Sequence, residues 1–259
     1  MTFLAALRFL TIFRLGWLRE PRLEELKRSA GYFPLVGVII GLVLVGLNWL
    51  LSLLLPPPVV NILLIVALVI ITGALHLDGF LDTCDGIGGH RTPEERWQIM
   101  DDSRAGGFGV IGVSCLLLTK YISLNSIPGS LLTATLVLMP VAGRWAMVYA
   151  IFAYPYAKPS GLGKTFQEET DWQALTLATI TALAVAIGWA WWGNLAYFYL
   201  VGPAVLAATW LLIVLVATYL KRKFAGLTGD TYGAINEITE VWILILVSML
   251  AHSQWLNLA

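Results

Sequence analysis

Charge is scarce in this sequence. Only 12% of its 259 residues are charged, about half the fraction usual in a soluble domain. That excludes a solvated surface for most of the chain. The 16 basic and 16 acidic residues cancel, so no bulk field draws the protein toward nucleic acid. Cysteine is nearly missing as well. Cys84 and Cys115 offer neither a disulfide framework nor metal-ligand spacing, and read as small packing residues. The first 22 residues lack the small-residue cleavage site of a removed signal peptide. Arginines are scattered through them, as in an amphipathic helix lying in the membrane interface. Low-complexity tracts and internal repeats are absent, so the inverted-repeat signature of many transporters is not seen.

What the chain has in quantity is apolar sequence, 58% of its residues. Apolar runs of about 20 residues make helices of about 30 Å, long enough to cross a bilayer. Such runs lie near residues 33–55, 59–77, 108–124, 131–154, 174–192, 195–220 and 234–250. Glu237 and Glu240 interrupt the last. The expected fold is therefore all-α: a polytopic membrane helix bundle of about seven spans plus an N-terminal interfacial helix. No soluble domain fits between the runs, so residues 1–259 read as one membrane-embedded domain in contact with lipid.

The connecting segments alternate in charge. The N-terminal segment carries Arg8, Arg14, Arg19, Arg22, Lys27 and Arg28. Pro56-Pro57-Pro58 carries none. Arg91, Arg96 and Arg104 follow, then an uncharged turn, then Lys158 and Lys164, another uncharged turn, and Lys221, Arg222 and Lys223. The positive-inside rule makes every basic segment cytoplasmic, with the N-terminus inside.

The stretch from His76 to Gly109 holds five aspartates: Asp78, Asp82, Asp85, Asp101 and Asp102. Carboxylates beside lipid call for a partner. Asp78, Asp82 and Asp85 stand at i, i+4 and i+7, one face of a helix. No Lys or Arg lies between Leu51 and His90 to neutralise them. Oxygen ligands at this spacing suit Mg²⁺, Mn²⁺ or Ca²⁺. His76 reads as a hydrogen-bonding group at a span end, and His90 as a surface loop residue. Thr92-Pro93-Glu94-Glu95 reads as a capped helix start, with Glu94, Glu95 and Arg96 on a solvated face as far as Met100. Asp102-Ser103-Arg104, ahead of Gly106, Gly107 and Gly109, could surround a phosphate, for which a guanidinium fork is well shaped.

Further candidates lie downstream. Lys120 reads as a structural charge, and Arg144 as a buried partner. Lys158 and Lys164 could hold a phosphate, although the Gly161–Thr165 text is no Walker A motif. Asp230, Glu237 and Glu240 fall on one face of a helix that begins near Asp230.

These residues resemble the cobalamin synthase family, also called adenosylcobinamide-GDP ribazoletransferases. The matching text is Phe9-Leu10-Thr11, then Tyr32 to Gly37, His76 to Gly86, and Ile99 to Arg104. Gly161-Leu162-Gly163 and Thr228-Gly229-Asp230 match too, with Gly233, Glu237 and Glu240. Two departures stand out: Cys84 where a small residue such as alanine is expected, and Asp101 where lysine is expected. The resemblance implies a Mg²⁺-dependent enzyme of the bacterial inner membrane, its active site on the cytoplasmic face. Such an enzyme joins adenosylcobinamide-GDP to α-ribazole or its 5′-phosphate and releases GMP, late in cobalamin biosynthesis. On that expectation Asp78, Asp82 and Asp85 hold the metal. One of them, or Asp102, is the base. His76, Ser103, Arg104, Arg144, Lys158, Lys164, Asp230, Glu237 and Glu240 bind substrate. Whether the chain forms a homo-oligomer is left open. Two rivals fit the pattern less well. CDP-alcohol phosphotransferases use a related acidic motif, but Asp82 and Thr83 replace its Ala-Arg. An ion-coupled transporter would use Glu237, Glu240 and Arg144 near the bilayer midplane.

Overall fold

The computed structural model describes residues 2–13, 22–89 and 91–253. Arg14, Arg19 and His90 lie outside the described residues. The chain folds into helices, with no strand among the described residues. Two short helices come first, α1 (Thr2–Leu10) and α2 (Leu23–Lys27). The apolar side of α1 is buried at Ala5, Ala6, Leu7 and Leu10, so the amphipathic helix expected there lies against the bundle. After a 3-10 turn, α3 (Phe33–Leu51) begins with Pro34 in its first turn, where a missing N–H costs nothing.

The second expected span is broken. α4 (Pro57–Ile71) ends at Thr72, and α5 (Leu75–Ile87) leaves at 90° to it. Gly73 and Ala74 sit between them with φ of +59° and +58°, two consecutive left-handed residues that no helix can pass through. Residues 59–77 are therefore not one straight helix, and the aspartates of α5 lie on a helix with its own direction.

α6 (Pro93–Met100) starts as its sequence requires. Thr92 Oγ1 accepts the Glu95 N–H, and the Glu95 carboxylate accepts the Thr92 N–H at 2.9 Å. The remaining helices are α7 (Gly107–Asn125), α8 (Gly129–Ala153), α9 (Leu162–Glu169), α10 (Trp172–Trp192), α11 (Phe198–Phe224) and α12 (Gly229–His252). Among the described residues six helices are long and apolar enough to cross a membrane, or seven spans if α4 and α5 count as one. Their outward faces carry Leu42, Ile62, Leu118, Ile180 and Leu215, large apolar side chains suited to lipid. α12 runs unbroken through Glu237 and Glu240.

α8 is the central helix, and glycines let its neighbours approach it. A Cβ at Gly37 of α3 would stand 2.7 Å from the Pro140 carbonyl oxygen, and one at Gly143 would stand 2.5 Å from Asn236 Oδ1 of α12. Small residues at helix crossings bring backbones close, and so replace the hydrophobic drive that lipid cannot supply. At one end of the bundle two loops are stitched together. The Ala157 N–H donates to the Leu227 carbonyl at 2.8 Å, and the Leu227 N–H to the Pro155 carbonyl at 2.9 Å. The C-terminal end of α8 and the first turn of α12 are thereby fixed beside α5.

Candidate active site

The site begins where α5 crosses α12. A Cβ at Gly79 would stand 2.8 Å from the Asp230 carbonyl oxygen, and one at Gly233 would stand 3.2 Å from His76 Cα. Glycine at 79 is required for this approach and glycine at 233 eases it, and the contacts set Asp78 and Asp82 beside Asp230 in the first turn of α12. Asp82 lies within electrostatic reach of Asp78, Asp230, Asp85 and Asp101. No hydrogen bond or ion pair from the described residues reaches the carboxylate of Asp78 or Asp82.

The third carboxylate of the pattern is used differently. Asp85 is buried, and its two oxygens accept the backbone N–H groups of Gly106 and Gly109 at 2.8 Å each. It thus caps the start of α7, where unpaired N–H groups and the helix dipole favour a negative charge. A Cβ at Gly106 or Gly109 would displace this carboxylate. The expected trio of Asp78, Asp82 and Asp85 is therefore not brought together as one ligand set.

Two cavities flank α5. The first, about 200 Å³, has apolar walls and a polar side formed by His76, Asp78, Asp230 and Tyr232. The second, about 600 Å³ and more open, lies over the glycine-rich loop and includes Asp85, Arg91, Asp102, Arg104 and Gly107. Arg104 Nε and Nη2 donate to the Asp102 carboxylate at 3.0 and 2.7 Å. These bonds, with one from the Arg104 backbone N–H, hold the Asp102 carboxyl down at about 2. Ser103 is exposed in the same loop.

Lys158 pairs with Asp101 at 2.7 Å and lies within electrostatic reach of Asp230, so it belongs to this end of the bundle. The unexpected acid at position 101 is thus matched by a base. Lys164 instead donates to the Pro159 carbonyl of its own loop at 2.8 Å and lines neither cavity.

Arg96 departs from its expected solvated face. It is 4% exposed and donates to the carbonyls of Gly86, Ile87 and Gly89, the latter two at 2.8 and 3.0 Å. It closes the C-terminal end of α5, where a cation complements the helix dipole. An arginine ten residues after a glycine-rich helix end was the available signal, but capping across a loop leaves no periodic trace.

Arg144, Glu237 and Glu240 were expected to bind substrate, yet they form a closed interior network. Lys120 Nζ reaches Glu237 Oε2 and Glu240 Oε2, each at 2.6 Å. Arg144 pairs with the other oxygen of Glu240 and lies 3.4 Å from His76 Nδ1. Asn236 donates to Glu240 at 3.2 Å. Two acids meet two bases, so the charges cancel where desolvation would otherwise be severe. Asp230 is separated from this group because seven residues of helix rise about 10 Å. Of this network, only His76 lines the first cavity.

The donors at the α5–α12 crossing are of the type a hard divalent cation takes. Asp78, Asp82 and Asp230 offer oxygen, and among the described residues no basic side chain pairs with the first two. Among the described residues no three His, Cys, Asp or Glu side chains converge closely enough to hold an ion by themselves. Mg²⁺ commonly completes its shell with water and substrate phosphate.

Fold and site together define a multi-pass membrane protein with a carboxylate-lined centre at one end of its bundle, between an apolar cavity and a glycine-rich groove. The chain belongs to the cobalamin-5-phosphate synthase family, whose model matches residues 2–248. An adenosylcobinamide-GDP ribazoletransferase of Roseiflexus sp. (strain RS-1) is 38% identical over 249 residues, covering 95% of this chain and 88% of the relative. Enzymes of the same name from Desulforamulus reducens and Geotalea daltonii are each 35% identical, over 93% and 96% of this chain and 94% and 96% of their own. No solved structure matches the chain.

Proposed function

We propose that this protein joins adenosylcobinamide-GDP to α-ribazole or its 5′-phosphate, releasing GMP, at the cytoplasmic face of a bacterial inner membrane. The observation that carries the reading is the pair of carboxylates Asp78 and Asp82, without a partner among the described residues and held against Asp230 between two cavities. The relatives' names supply the substrates. The basic loops, all joined to one end of the bundle, supply the orientation.

In this reaction a ribose hydroxyl of ribazole attacks the phosphorus that bears the cobinamide. A P–O bond forms, the P–O bond of the anhydride breaks, and GMP leaves with the electron pair. The hydroxyl proton passes to a carboxylate, for which Asp78, Asp82 and Asp102 are the candidates. Asp78, Asp82 and Asp230 would hold Mg²⁺, which when bound neutralises the negative charge gathered on the diphosphate. Arg104, with Arg91 beside it, would bind a phosphate in the open groove. Asp85 would keep the glycine-rich loop seated against α5. Transport is less favoured, because the interior charges it would need are paired with one another.

The test is purified protein in detergent with adenosylcobinamide-GDP and α-ribazole, with Mg²⁺ present or chelated. GMP and a cobalamin product in equal amounts are expected with Mg²⁺. Absence of both products under all conditions overturns the reading.

A further inference from the structure

We propose that the apolar cavity bounded by α1, α3, α5, α8, α9 and α12 is the seat of the benzimidazole base of ribazole. This rests on the transferase reading and assigns a subsite within it. A volume of about 200 Å³ admits a flat bicyclic ring but no corrin macrocycle. Its apolar wall is built from three packed phenylalanines: the rings of Phe9 and Phe166 lie 5.2 Å apart, and those of Phe33 and Phe166 5.5 Å. Met147 and Ile151 of α8 complete it. Aromatic walls of this kind suit a planar guest through offset and edge contacts.

Two residues of the same wall each bury a polar atom with no partner, His76 Nε2 and Tyr232 Oη. Both residues are nearly inaccessible, at 2% and 3% exposure. Leaving such atoms unsatisfied is costly, so they point to a guest. His76 Nδ1 faces Arg144, whose guanidinium can only donate. Nδ1 is therefore the acceptor, and the ring proton sits on Nε2. The tyrosine hydroxyl is a second donor. A benzimidazole attached to ribose has one ring nitrogen left, an acceptor with no proton. Residues that line the cavity thus hold two spare donors, and the guest has only an acceptor. Asp78 and Asp230 stand at its polar side, so a base lodged there leaves its ribose at the carboxylates. The diphosphate partner would come from the glycine-rich groove on the other side of α5.

The experiment pairs a filled and an enlarged cavity. Ile151→Phe is expected to raise KM for α-ribazole about tenfold and leave KM for adenosylcobinamide-GDP unchanged. Met147→Ala is expected to gain turnover with a riboside whose base carries an additional fused ring, which the wild type rejects. That gain cannot come from misfolding. Removing the methyl groups from the base should weaken the wild-type interaction about fourfold for each. Equilibrium dialysis of α-ribazole alone separates the two levels. Wild-type binding that Ile151→Phe weakens about tenfold, without any transfer, keeps the subsite and sinks the transferase reading. Normal turnover with unchanged KM for α-ribazole in Ile151→Phe, and no broadened acceptance in Met147→Ala, overturns the subsite alone. Neither binding nor turnover in the wild type overturns both.

Discussion

Asp85 accepts a hydrogen bond from the backbone N–H of Gly109 at 2.8 Å, tying α5 to the first turn of α7. A carboxylate in register with Asp78 and Asp82 is thereby spent on holding a loop. Asp85→Ala should leave the buried Gly109 N–H and the half-buried Gly106 N–H unpaired and cost about 1–3 kcal/mol. Asp85→Asn, which keeps one acceptor oxygen, should cost less. Thermal unfolding in detergent measures both. Equal losses from the two variants would refute this positioning role.

Asp82→Asn should reduce GMP release at least about a hundredfold and leave folding intact, because no group among the described residues pairs with the Asp82 carboxylate. Turnover near the wild-type rate would remove Asp82 from the chemistry.

Lys120→Met should be among the most damaging single changes. It leaves Glu237 without its lysine and Glu240 with Arg144 as its one cation, at a cost of about 3–5 kcal/mol. The double variant Lys120→Met/Glu237→Gln restores charge balance and should recover part of the loss. Unfolding temperatures of the two variants decide the point; a double variant less stable than Lys120→Met contradicts the network.

Asp102 supplies a pH expectation. Its carboxyl is held at about 2 by Arg104, below its ordinary range. A depressed carboxyl contributes stability that is complete above the unfolded pKa and is lost only as pH falls through the folded one. The clamp between Asp102 and Arg104 therefore persists at every pH where the protein is assayed. The ratio of Asp102→Asn to wild-type activity should stay flat from about pH 5 to 8, well above the ordinary aspartate value. A ratio that approaches one as pH falls across that range would show that Asp102 titrates there.

Chelation should abolish transfer, and Mg²⁺ should restore it. Ca²⁺ should restore less, since it takes more ligands at longer distances than two or three carboxylates impose. Full activity in chelator would exclude a divalent ion from the reaction.

Sequence by itself determined the elements that rest on local, repeating signals. Apolar length gave the spans except the second, which breaks at Gly73 and Ala74, since a bilayer demands about 20 apolar residues in a row. Thr92 and Glu95 gave the start of α6, since the capping box is closed within four residues. Asp78 and Asp82 were legible as a pair because a helix returns to one face every fourth residue. Only the tertiary structure decided what each charge meets. Asp85 turned to Gly106 and Gly109, more than twenty residues away, and Arg96 turned to the end of α5. Glu237 and Glu240 found Lys120 and Arg144 on other helices, while Asp230 joined α5 through a contact that Gly79 alone allows. Periodicity specifies which face a side chain occupies. It carries no information about the neighbour that face will find, because that neighbour is chosen by the packing of helices distant in sequence.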